Sequence, residues 1–440
     1  DGVIGENRSL IHTVIGRYRM DILRNEVGTV EVFNKAMAMT GICRSGITSL
    51  ALFLFLHASL LSTIFKEAGH SLNFVFGIAG VTNSRKTSLV LAMTKIFDLE
   101  NMVADAEFAT ATACGIEKTL GKYKDAVVII DDFKPGVTIA QQRKMDEKLD
   151  QLIRFYGNRV SKKRMLDFAA DENKKFFPIY GGCVVTMEIV TGVLSSMSRM
   201  FITEIGNQEV DNEKLAFYQQ EKMLLPTHVY DFLRWATGRF ENIILYIKQC
   251  YPNMRANGGF KLARHNEMYA LFMVTASILS WYASERGFWQ NEQCQEFLAE
   301  VHSKIMIALN CLAVRLQGMD KGRLVIQAFG EAMKNAKIIP VWLTEDTAAD
   351  EHDFYEDTTY FYVRCRELRR ITNEYCRQYQ EAAEIINEEE LLGILEKLDL
   401  LEIYMNGKSK QRSRKLPVQR GNRLRYAWIK KDALSKYEEE

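Results

Sequence analysis

Proline is scarce in this chain, with only six in 440 residues, which excludes a Pro-rich linker protein. An excess of either charge is also missing. Lys and Arg number 57 against 56 Asp and Glu, a formal net of +1, which argues against a histone-like polycation or an acidic tail protein. Eight cysteines are scattered with no Cys-x-x-Cys pair. Isolated thiols in a reducing cytoplasm are therefore expected, and a zinc site is not. No charged-start secretory signal opens the chain, and a cytoplasmic location is expected. The first residue is Asp1, so the chain is expected to be a piece of a longer protein.

Long uncharged runs are absent except for one. From Ser45 to Phe65 no charge occurs, and "ITSLALFLFLHASLL" raises the question of a membrane span. The run contains His57 and several Ser and Thr, and it leads into a glycine-containing loop. A buried helix packed under a sheet is expected, in a soluble chain without a membrane partner. The remaining composition, 47% hydrophobic and 26% charged, suits a globular protein with a sizeable core. The length suggests about three domain-sized units.

From Asn73 the pattern is one of short apolar runs separated by helical stretches. "NFVFGIAG" reads as a strand and loop, and "KTSLVLAMTKIF" as a helix, with Leu89, Leu91, Ala92 and Ile96 near helical spacing. "DAVVIID", "GGCVVTME" and "RMFITEI" read as further buried strands. Such runs alternating with helices predict an α/β core with a mainly parallel sheet. Beyond residue 211 the pattern is helical. The stretch from Glu345 to Asp357 holds seven carboxylates and is expected to be a solvated loop. Two helices follow, the second N-capped by Asn387, and then a basic hairpin turning at Gly421-Asn422. Leu424, Tyr426 and Trp428 fall on one face of its last strand. Helix, helix and basic hairpin form the outline of a winged helix.

The strongest chemical signal is Gly80-Val-Thr-Asn-Ser-Arg85-Lys86-Thr87. A phosphate-binding loop of the form G-x-x-x-x-G-K-[ST] wraps backbone N–H groups around phosphates at a helix N-terminus. Gly80, Asn83, Ser84, Arg85, Lys86, Thr87 and Ser88 are the candidate nucleotide contacts. Lys86 is expected at the β- and γ-phosphate oxygens, and the Thr87 hydroxyl on Mg²⁺. Arg85 stands where the pattern has its second glycine. "VVIIDD" then ends a strand with Asp131, placed to hold Mg²⁺, and Asp132, placed to polarise the attacking water. Thr186 is a candidate for contacting that water or the γ-phosphate, and Glu188 is its rival. Arg199 is a candidate to reach a neighbouring subunit's γ-phosphate, the alternative being a surface arginine at a strand start. Arg264, at a helix start, could contact the nucleotide from a lid or be structural.

Two segments are candidates for nucleic acid. "RFYGNRVSKKRM" places Arg159, Lys162, Lys163 and Arg164 beside Phe155 and Tyr156; a solvated loop is the equal alternative. From Gly407 to Lys431 there are ten Lys and Arg and no carboxylate, so the rest of the chain carries a net −9. Arg412, Arg414, Lys415, Arg420, Arg423 and Arg425 are the expected phosphate contacts there, with steep salt dependence and little base readout.

"NFVFGIAGVTNSRKTS", "VVIIDDF", "IRFYGNRVSKKRM", "GGCVVTMEIV" and the C-terminal "LLGILEKLDLLEIY" through "RLRYAWIKKDAL" together resemble AAA+ ATPases. Within these, the chain is similar to the MCM-like AAA+ helicases of bacterial mobile elements, of the staphylococcal cassette chromosome type. The resemblance implies an AAA+ P-loop core, an αβα sandwich with a parallel sheet, followed by a helical lid and a C-terminal winged helix. Residues 1–70 would be a helical lead-in, 71–210 the core, 211–340 the lid and 341–440 the winged helix. It further implies a ring, a homo-hexamer, that binds ATP and Mg²⁺ between subunits and translocates on single- or double-stranded DNA in replicating a mobile element. The substituted loop keeps an alternative open: a nucleotide-binding assembly or initiator protein on DNA with weak or no hydrolysis.

Overall fold

The computed structural model describes residues 28–438 apart from 98, 122, 135–138, 160–178, 189, 191–193, 319, 380–384, 386, 408 and 419–423. It divides into two units, Asp1–Leu312 and Ala313–Glu440. The helices of the first unit are α1 (Val30–Ala38), α2 (Ile47–Leu60), α3 (Ser62–Glu67), α4 (Lys86–Thr94), α5 (Ala113–Leu120), α6 (Ile139–Asn158) and α7 (Leu194–Met197). Four more follow without an intervening strand: α8 (Asn212–Gln220), α9 (Leu224–Thr237), α10 (Phe240–Asn257) and α11 (Ala263–Glu285). A twelfth, α12 (Asn291–Gly318), contains the division between the units.

Five strands, β1 (Val75–Ala79), β2 (Ala106–Glu107), β3 (Val127–Phe133), β4 (Gly182–Met187) and β5 (Met200–Glu204), form a sheet in the order β2-β3-β4-β1-β5. Every neighbouring pair is parallel. β1 and β4 are buried at each position, which is why they read as unbroken apolar runs and not as alternating ones. The register sets Gly77 beside both Val185 and Ile202, so β1 is an interior strand and its two ends open on opposite edges of the sheet.

The uncharged run forms α2, with thirteen residues buried. At 1.5 Å per residue its length is about 21 Å, short of the roughly 30 Å hydrocarbon core of a bilayer. It packs on the sheet and on α4 and α11. Gly182 makes the approach possible, since a Cβ there would meet Ser59 Oγ at 2.1 Å and the Phe55 ring at 2.8 Å. By length and composition, α12 is the described helix able to cross a membrane. Its residues Val301, Ile305, Leu309, Leu312 and Leu316 are buried at helical spacing, the pattern of a helix with one core-facing stripe.

α2 and α9 meet through two fully buried histidines. His57 Nδ1 lies 2.8 Å from the Phe53 carbonyl, and His57 Nε2 lies 3.1 Å from His228 Nε2. The carbonyl can only accept, so the His57 proton sits on Nδ1 and His228 Nε2 donates to His57. His228 Nδ1 is left buried without a partner. Aromatic rings of Phe33, Phe53, Phe232 and Tyr282 surround the pair. Burial pushes His57 down to about 4, and burial followed by the neighbouring His57 pushes His228 well below its ordinary value. The unfolded chain binds these protons near pH 6.5. The stability is therefore complete above pH 6.5 and is lost as pH falls towards 4, at about 1.4 kcal/mol per pH unit for each histidine. Urea unfolding at pH 7 and pH 5 is expected to show a smaller acid loss for His228→Phe than for the parent; equal losses would contradict the assignment.

The second unit contains α13 (Lys321–Lys334), α14 (Cys365–Gln378), α15 (Glu388–Lys397) and α16 (Lys431–Glu438). Its strands are β6 (Val341–Trp342), β7 (Phe354–Glu356), β8 (Tyr360–Val363), β9 (Tyr404–Asn406), β10 (Ser409–Gln411) and β11 (Ala427–Lys430). β11-β8-β7-β6 form one sheet, and β9 and β10 a separate antiparallel ribbon. Asn387 caps α15, accepting from Glu390 N at 2.8 Å. Ala427 and Ile429 pack with Leu368, Leu391 and Leu395. Tyr426 and Trp428 face the other way onto Tyr355, Tyr362 and the half-buried Leu424, as alternation along the strand requires. The acidic stretch departs from its expected loop: it carries β7 and a short 3-10 turn, Thr347–Ala349. Tyr355 and Ala348 are buried within it, packed with Tyr362, Tyr426 and Trp428, while Phe354 packs on the opposite side against the cluster of Leu368 and Leu391. The Gly421-Asn422 turn lies outside the described residues.

Candidate active site

β1 leads directly into the loop before α4. Gly80 N donates to Met187 O at 3.1 Å, and a Cβ at Gly80 would lie 2.5 Å from Ile205 O; only glycine fits that passage. Asn83 and Arg85 both take left-handed backbone, at φ 67° and 66°. Arg85 thus adopts the conformation that makes glycine the usual residue there. Its side chain is exposed, and Ser84 beneath it is buried. Arg85→Gly is expected to raise stability by about 1 kcal/mol through relief of this conformation. Arg85→Ala, which keeps the Cβ, is expected to give no such gain in urea unfolding.

Lys86 is folded into the loop it follows. Its Nζ donates to Gly80 O at 2.6 Å, Val81 O at 2.9 Å and Ser84 Oγ at 3.3 Å. Burial lowers its proton affinity, while Glu188, Asp131 and Asp132 act in the opposite direction. The first turn of α4, with Thr87 and Ser88 half-buried, presents helix N–H groups and the positive end of the helix to the same space.

Opposite the lysine, Thr87 Oγ1 donates to Asp131 Oδ1 at 2.8 Å. Thr186 Oγ1 donates to the same oxygen and accepts from Asp132 N at 3.0 Å. The β3–β4 register shifts between Ile130 and Phe133, and Asp132 sits at φ 67°. The kink turns Asp132 away from the ladder, where its Oδ2 lies 2.8 Å from Lys134 Nζ. Thr82 Oγ1 donates to Glu188 Oε1 at 2.8 Å across the rim. Lys86, Thr87, Asp131, Asp132 and Thr186 therefore converge at the C-terminal edge of the sheet, with Glu188 alongside.

Arg199 and Arg264 lie together elsewhere. Arg199 directly precedes β5, and its O accepts from Val75 N at 3.1 Å. Its Nη1 donates to Ser195 O at 2.6 Å. Arg264 Nη1 donates to Ser198 Oγ at 2.7 Å and reaches Ser195 O at 3.4 Å. Burial and then Arg264 lower the proton affinity of Arg199. The two guanidinium groups border a cavity of about 220 Å³ with Asn73, Gly157, Tyr251 and Glu267. β1 and β5 run parallel from this edge to the Lys86 loop, and five residues of strand cover about 16 Å. Arg264 thus sits with Arg199 and not with Lys86.

The candidate nucleic-acid residues divide differently from their sequence pattern. Arg159 turns inward. Its Nη1 donates to Gly181 O at 2.9 Å, its guanidinium lies over the Tyr156 ring, and burial lowers it to about 10. Arg159 is half-buried, and its Nη2 is buried without a hydrogen-bond partner. Lys162, Lys163, Arg164, Arg420 and Arg423 lie outside the described residues. Arg412 Nε pairs with Glu396 at 2.6 Å. Arg414 stacks 3.4 Å above the Trp428 ring, Arg425 Nε donates to Ser413 O at 3.1 Å, and Lys415 is exposed. Missed from sequence were Ser195 and Ser198, although "SSMSR" immediately precedes the strand and offers polar anchors for an arginine.

No family model and no curated protein matches the chain. Among solved structures, one described as SCCmec type IV Cch, an active helicase, superposes with TM-score 0.56 at 13% identity, over 93% of this chain and 72% of that one. The chain shares its fold with that helicase. Two others overlap more loosely. A JCV helicase has TM-score 0.25 at 16% identity over 62% of this chain and 72% of that one. The NrS-1 C-terminal region has TM-score 0.32 at 10% identity over 92% and 75%.

Proposed function

We propose that the chain is an ATP-dependent DNA helicase or translocase of the AAA+ class, working as a ring, a homo-hexamer, in the replication of a mobile element. One observation carries the reading. A lysine, a threonine hydroxyl and a strand-end carboxylate meet at the C-terminal edge of a parallel sheet ordered β5-β1-β4-β3-β2, beside a helix N-terminus. The donor set suits Mg²⁺ and a polyphosphate: Thr87 and Asp131 offer hard oxygen ligands, while Lys86 and α4 offer positive charge. Asp132 would take a proton from the attacking water once released from Lys134. Thr186 would keep both aspartates in place, with its own proton committed to Asp131. ATP bound here would supply the phosphoryl group.

Arg199 and Arg264 stand about a strand length from the Lys86 loop, which supports their acting on a nucleotide held by the next subunit. Residues 71–210 would form the AAA+ core, 211–340 a helical lid after a lead-in at 1–70, and 341–440 a winged helix that binds single- or double-stranded DNA. Within 341–440, the order β8, α14, α15, ribbon and β11 supports the last assignment.

The test is ATP hydrolysis with and without single-stranded DNA, followed by strand displacement. Stimulated hydrolysis and displacement are the expected results. Nucleotide binding without hydrolysis in either condition would overturn the proposal in favour of a DNA-binding assembly or initiator protein. The left-handed Arg85 and the Asp132–Lys134 pair are the features that favour that second reading.

A further inference from the structure

Resting on the DNA-binding reading above, we propose that the β9–β10 ribbon receives a nucleic-acid phosphodiester backbone, and that Glu396 occupies the place of a phosphate until the strand arrives. Lys410 lies on β10 and Arg412 directly follows its last residue, Gln411. Both converge on one carboxylate: Lys410 Nζ on Glu396 Oε1, and Arg412 Nε on Glu396 Oε2 at 2.6 Å. Two oxygens receiving two cationic donors is also the geometry that a phosphodiester offers.

The position of Glu396 is otherwise unfavourable. It lies in the last turn of α15, at the negative end of the helix, where a carboxylate is disfavoured. The ribbon cations offset that cost. Lys410 is exposed while Glu396 and Arg412 are half-buried, and ion pairs this near the surface contribute little to folding, so an incoming phosphate can replace the carboxylate. The opposite end of α15 begins Glu388, Glu389, Glu390. Glu390 is paired with Lys321 at 2.6 Å, and the charges of Glu388 and Glu389 repel a phosphate backbone there, which favours the ribbon over that helix end. After displacement Glu396 remains beside the bound strand as a like charge, and the attraction is attenuated.

The experiment measures anisotropy of a fluorescein-labelled thymidine oligonucleotide of roughly 20 nucleotides, and of a duplex of equal length, across a salt series. Glu396→Gln, isosteric and uncharged, is expected to tighten binding about five-fold and to steepen the log–log salt dependence by roughly one unit. Hydrolysis without DNA should be unchanged. Adding Lys410→Ala and Arg412→Ala to Glu396→Gln is expected to erase the gain. Unchanged or weaker binding by Glu396→Gln, or a gain that survives loss of both cations, overturns the proposal while leaving DNA binding at another surface intact. If neither parent nor variant binds either oligonucleotide, the DNA-binding reading falls and the ribbon proposal with it.

Discussion

Lys86→Ala is expected to lower ATP hydrolysis by roughly a hundred- to a thousand-fold, the usual effect of removing one donor from developing phosphoryl charge. The geometry makes the loss twofold in kind. The ammonium neutralises the Gly80 and Val81 carbonyls, which bond to it at 2.6 and 2.9 Å. Without it those oxygens face the phosphate space unopposed, so nucleotide affinity should fall along with turnover. Thr87→Ala should behave differently. It leaves Lys86 in place and removes the hydroxyl that meets Asp131, so its defect should appear mainly as a raised requirement for Mg²⁺. Fluorescent-nucleotide titration with turnover measured over a Mg²⁺ series separates the two. Full hydrolysis by Lys86→Ala would remove this loop from the catalytic centre altogether.

The loop and the strand ends were legible because their chemistry is local. A buried parallel strand must be apolar throughout, so β1, β3 and β4 announce themselves as runs; Asp131 lies near the end of β3, and Lys86 and Thr87 open the helix that follows β1. Charge was far less legible. The Gly407–Lys431 segment is purely basic along the chain, but folding brings carboxylates from elsewhere onto it. Glu356 pairs with Lys431, Glu396 with Lys410 and Arg412, and Asp399 with Lys430. A sequence count separates charges that the fold recombines. Nor can spacing reveal that the backbone carbonyl of Gly181, 22 residues away, accepts from the Arg159 guanidinium. The aromatic pair inside the acidic stretch carried the signal of β7, and the surrounding carboxylates hid it.

Arg199→Ala is expected to reduce hydrolysis by about a thousand-fold, the lower end of what a transition-state arginine contributes, while leaving nucleotide affinity at the Lys86 loop nearly unchanged. That division follows from distance: Arg199 directly precedes β5, whereas Lys86 follows the far end of its parallel neighbour β1. On the proposed reading, an arginine at this edge would complete a nucleotide site carried by another copy. Mixing the two inactive variants makes the prediction decisive. In a head-to-tail assembly of Lys86→Ala and Arg199→Ala subunits, about one interface in four joins an intact loop to an intact arginine, so activity should reappear on mixing. An arginine acting within its own chain would give no recovery at any ratio. Arg264 shares the Ser195 carbonyl with Arg199 and bonds Ser198. Arg264→Ala should therefore also recover with Lys86→Ala, and fail to recover with Arg199→Ala, because those two defects fall on the same side of every interface.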